Sequence, residues 1–88
     1  MIANTQNNGY IKKLTKSNIN HADIELYYWQ YDKSGSFSSS LFNAIGYADL
    51  NNLSKLYLGF PEEVRAFYSY QNDLDYWTTL VTLMEENK

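Results

Sequence analysis

The chain has no cysteine, which excludes a disulfide framework, a thiol nucleophile and any cysteine-held zinc or iron–sulfur site. Histidine is almost as scarce: His21 stands alone. It is spaced with Asp23 and Glu25 as alternate residues, which would converge on a metal only in a strand. No stretch approaches the roughly 18 consecutive apolar residues of a membrane span. The opening MIANTQNNGY carries neither the basic start nor the apolar run of a signal peptide. The expectation is a soluble, cytoplasmic protein with no membrane partner. Proline occurs once, at Pro61, and glycine four times. No phosphate-cradling glycine loop and no heptad seam of three repeats is present.

Aromatic residues are plentiful, with nine Tyr, four Phe and two Trp among 88 residues. A chain of this length buries only roughly 60–65% of the surface its unfolded form exposes. Each buried ring removes roughly 150–250 Å² from water, so the rings have a structural use before any other. ELYYWQYD, residues 25–32, concentrates Tyr27, Tyr28, Trp29 and Tyr31.

Net charge is −3, unevenly placed. Residues 1–20 hold Lys12, Lys13 and Lys16 and no acid, whereas residues 21–88 hold four bases against ten acids. An acidic body repels phosphates, so nucleic-acid binding would rest on the three lysines alone. Residues 1–19 read as a flexible or partly ordered arm, because the first nine are rich in Asn, Gln and Thr. Residues 20–88 read as one helical domain.

Helix signals punctuate that domain. Asn20 with Asp23 resembles a capping box opening a helix over roughly 22–32. There, Ile24, Tyr27, Tyr28 and Tyr31 form a stripe at the three-and-four spacing. Ser36 is a candidate N-cap for a second helix with Phe37, Leu41, Ala44, Ile45 and Ala48 on one face. Asp49 starts a third with Leu50, Leu53 and Tyr57 aligned, and Gly59 ends it as a left-handed cap residue. Pro61 suits the first position of a fourth helix, with Glu62 and Glu63 favoured by its dipole and Val64, Phe67, Tyr68 and Gln71 aligned. Asn72 or Asp73 caps a fifth, with Leu74, Trp77, Leu80, Val81 and Met84 along its apolar side. The fold class is all-α, a compact bundle of four or five short helices. The alternative is α+β with a small N-terminal hairpin, in which Tyr27, Trp29 and Tyr31 share a strand face and YIKKL (10–14) pairs with it.

Catalytic constellations are missing. The carboxylate pairs Glu62 with Glu63, Asp73 with Asp75 and Glu85 with Glu86 fall at helix starts or in the C-terminal tail, where capping and solvation account for them. Ser38, Ser39 and Ser40 have no assigned base. The expectation is therefore a non-enzyme without metal or cofactor.

The segment GSFSSSLFNAIGYADLNNLSKLYLGFPEEVRAFYSYQNDLDYW, residues 35–77, resembles small proteins of uncharacterised activity carried by bacteriophages and mobile elements. The resemblance is carried by Gly35 and Phe37 before LFNAI, AD with Asn52, LGFP before Val64 and Ala66, and Tyr76–Trp77. It implies a genomic setting and no particular catalytic or binding residue. The functional expectation is a small acidic module that binds a protein, plausibly modulating a host protein. In the helical projection Trp29 lies between Glu25 and Asp32 on a polar side, which makes Glu25, Trp29 and Asp32 the candidate contacts. Coverage of Trp29 by a neighbouring helix is the competing account. The other functional readings are a nucleic-acid accessory protein using Lys12, Lys13 and Lys16, and a homo-oligomeric structural protein.

Overall fold

Asn20 opens the first helix of the structure, a computed structural model that describes residues 10–86. Its side chain accepts from Asp23 N at 3.2 Å while Asp23 accepts from Asn20 N at 2.9 Å, so the capping box forms reciprocally. This starts α1, His21–Gln30. Helix α2, Ser36–Tyr47, begins at Gly35 without a side-chain cap bond. Helix α3, Leu50–Gly59, is capped by Asp49, which accepts from Asn52 N at 2.8 Å. Pro61 occupies the first turn of α4, Pro61–Asn72, where a missing N–H removes no helical bond. At the head of α5, Leu74–Glu86, Asp73 Oδ1 accepts from Asp75 N at 3.1 Å.

The described residues form five helices and no strand, an all-α bundle. The hairpin alternative fails because residues 21–30 complete a capped helix and YIKKL packs on the bundle as irregular chain. Helix α4 is the central element, in contact with all four others. Its Val64 and Ala66 are fully buried, and the Phe67 ring lies against Gly46 of α2, where a Cβ would meet Cζ at 3.1 Å. The absent side chain at Gly46 is what lets α2 approach that ring.

The helices sit at rotations that the apolar stripes alone do not give. In α1 the buried residues are Ala22, Asp23, Leu26 and Tyr27, whereas Tyr28 and Tyr31 are exposed. That is about a third of a turn from the tyrosine stripe. In α5 the buried line is Tyr76, Leu80 and Leu83, with Leu74 outside; in α2, Phe37 is likewise outside. Tyrosine tolerates either side of such a boundary because its ring is apolar and its hydroxyl is not.

Gly59 is not left-handed; among the described residues the one that takes this conformation is Asp32, with φ 59°. Lys33 N donates to Tyr28 O at 2.8 Å and Asp32 N to Trp29 O at 3.0 Å, which is a Schellman closure of α1 with Asp in the usual glycine position. Relief of that backbone penalty outweighs the extra freedom glycine gives the unfolded chain. Asp32→Gly is expected to stabilise the protein by about 0.5–1 kcal/mol, raising Tm by roughly 4 °C in a thermal melt. An unchanged or lower Tm would show that the Asp32 side chain itself stabilises the turn.

Candidate functional site

The outward side of α1 carries the aromatic surface. Tyr28 and Tyr31 are exposed one turn apart, and behind them Tyr27 is buried with its ring 5.7 Å and 5.0 Å from theirs. Tyr27 in turn stacks on Trp77 of α5, and its hydroxyl donates to Glu85 at 3.2 Å. Lys33 and Glu85 complete a shallow cleft with these three tyrosines. The exposed rings therefore rest on a packed wall, which restricts their motion.

Trp29 points the other way. Its ring lies 6.0 Å from Phe42, 5.2 Å from Phe67 and 6.1 Å from Tyr70, so α2 and α4 cover one side and leave it half-buried. Tyr70 also donates its hydroxyl to Gln30 at 2.6 Å, tying α4 to the end of α1. Glu25 is half-buried one turn before Trp29, with a carboxylate oxygen 3.8 Å from His21 Nε2. Asp32 is exposed in the closing turn. The three expected contact residues are neighbours, but they line the edge of α1 where the ring cluster meets the surface. The centre of the outward side is Tyr28 and Tyr31. A second phase, Ala22, Leu26 and Trp29 at i, i+4 and i+7, was present in the same sequence and is the one the fold uses.

A buried polar network joins the N-terminal segment to the bundle. Lys12 is buried, correcting its assignment to a solvent-facing lysine arm: Nζ lies 2.5 Å from Asp23 Oδ2 and donates to Asn18 O at 2.8 Å. Lys12 N donates to Ser69 Oγ at 2.7 Å, Leu14 is buried beside it, and the Tyr10 ring packs on Tyr57 and Tyr68. The other oxygen of Asp23 accepts from Tyr76 at 2.6 Å. Burial, together with the charge of Asp23 and this hydrogen bond, holds the Tyr76 phenol far above its ordinary range. Lys13 and Lys16 are exposed, and residues 1–9 of the expected arm lie outside the described residues.

Among the described residues no group of three His, Asp or Glu side chains could hold a metal ion. Of the carboxylate pairs, Glu62 accepts from Asn20 Nδ2 at 2.8 Å, Asp73 caps α5 and Glu85 receives the Tyr27 hydroxyl. One member of each pair thus serves a structural contact. No helix among the described residues is long and apolar enough to cross a membrane. No family model, curated protein or solved structure matches the chain.

Proposed function

We propose that this is a protein-binding module whose contact surface is the outward side of α1. The observation that carries the reading is the pair Tyr28 and Tyr31, exposed side by side on a wall of packed rings, with Lys33 and Glu85 lining the same cleft and Asp32 next in the chain. Preorganised tyrosines supply contact area at small entropic cost, and the net charge of −3 favours a partner with basic groups. Trp29 supports this surface from its edge. A cytoplasmic setting and a phage or mobile-element factor acting on a host protein belong to the same proposal, the latter through the resemblance of residues 35–77. Catalysis forms no part of it.

The test is a pull-down from host lysate with wild type, Tyr28→Ala, Tyr31→Ala and Lys16→Ala, each checked by circular dichroism. Both tyrosine variants are expected to stay folded, with stability changed by about 1 kcal/mol or less, and to lose the captured protein. The lysine variant is expected to retain it. Capture that survives loss of both tyrosines would move the contact surface elsewhere, and capture of nucleic acid lost with Lys16 would favour the lysine reading.

A further inference from the structure

On the face formed by the N-terminal segment and α4, a second cleft is lined by Lys13, Asn18, Asn20, Glu62 and Arg65, with Lys12 in its wall. Its charges are unevenly matched. Lys12 is neutralised by Asp23. Glu62, one turn before Arg65 on α4, directs Oε1 to Asn20 Nδ2. Neither Lys13 nor Arg65 has an ion-pair partner among the described residues. The Nε of Arg65 is buried and has no acceptor there either, so the guanidinium's hydrogen-bonding capacity is unspent. Its lining thus carries Lys13 and Arg65 against Glu62, which keeps its charge when it accepts from the neutral Asn20 amide, so the cleft is net positive on a protein whose net charge is −3.

We propose that this cleft binds a single oxoanion, a phosphoryl or carboxylate group, between Arg65 and Lys13. A guanidinium offers planar pairs of N–H donors that suit either group, and the Lys13 ammonium adds a mobile point charge. Docking of the N-terminal segment creates the site, since it brings Lys13 from outside the helices to Arg65 on α4. The net charge of −3 on the protein as a whole selects against an extended polyanion.

The experiment is a ¹H–¹⁵N NMR titration of the full chain at fixed pH and ionic strength, with sodium phosphate, sodium acetate and sodium chloride as separate arms. Phosphate or acetate is expected to give saturable shifts confined to residues 12–13, 18–20 and 62–65; the stronger arm identifies the source of the oxoanion. Chloride is expected to give none. Arg65→Gln should weaken binding by at least about tenfold, from loss of the charged donors, with Lys13→Gln weakening it less and Lys16→Ala leaving it unchanged. Arg65→Lys, which keeps the charge and removes the fork, is expected to fall between wild type and Arg65→Gln and serves if the glutamine variant does not fold. Shifts that drift without saturating, or that chloride or Arg65→Gln reproduces, would overturn the site. So would binding of a DNA duplex weakened as much by Lys16→Ala as by Arg65→Gln.

Discussion

Replacing Asp23 by Asn is expected to destabilise the protein by about 3–5 kcal/mol, the cost of leaving one member of a buried charge pair without the other. Asparagine keeps a single oxygen; turned toward Asn20 N and Lys12 it preserves the cap of α1 and sets its NH2 against the Tyr76 hydroxyl, which can rotate to accept, so the loss reports mainly on the uncompensated Lys12 charge. That ammonium is 6% exposed as a residue and has Asp23 and the Asn18 carbonyl as its partners. Set against the ~5–15 kcal/mol that ordinarily separates folded from unfolded domains, this brings the variant close to unfolding at room temperature. Urea denaturation followed by circular dichroism measures it. Lys12→Met combined with Asp23→Asn should recover most of the loss, because the buried charge is gone and the methionine follows the lysine stem. A single-variant loss under about 1 kcal/mol would show that Lys12 swings out to water and that the N-terminal segment is held by Leu14 and Tyr10 instead.

Trp29→Ala is expected to cost about 3 kcal/mol, at the lower end for a truncated core aromatic because the residue is only half-buried. The loss has two parts: the apolar area of the indole, and the edge-to-face contacts with Phe67 and Tyr70. Phe42 and Phe67 stack on each other at 6.0 Å and would retain that contact, which limits the collapse. Equilibrium unfolding beside Tyr31→Ala separates the two sides of α1: a large loss at Trp29 and a small one at Tyr31. Equal, small losses would return Trp29 to the role of an exposed contact and make Glu25, Trp29 and Asp32 the binding edge.

The opposite fates of Trp29 and Tyr31 show what can be read in α1 from sequence and what cannot. Both the tyrosine stripe and the Ala22, Leu26, Trp29 line satisfy helical spacing, so periodicity offers two phases of similar quality. The choice between them depends on Asp23. A carboxylate on the buried side counts against that phase in any local reading, and it becomes acceptable only because Lys12, from outside the helix, and Tyr76, from the far end of the chain, satisfy it. Lys12 was misplaced for the complementary reason: three lysines without a nearby acid look like a solvated arm until Asp23 is found facing one of them.

The sequence by itself determined the all-α class, the start of α1 at Asn20, the start of α3 at Asp49 and the start of α4 at Pro61, because caps and proline geometry act within three or four residues. Only the tertiary structure decided which side of each helix is buried, that the N-terminal segment is anchored by a buried ion pair, and that Lys13 and Arg65 line one cleft. These depend on contacts beyond the reach of local spacing, from eleven positions for Lys12 with Asp23 to more than fifty for Lys12 with Ser69 and Asp23 with Tyr76. Local spacing carries no information about such pairs, and charge burial is favourable only after both partners are in place.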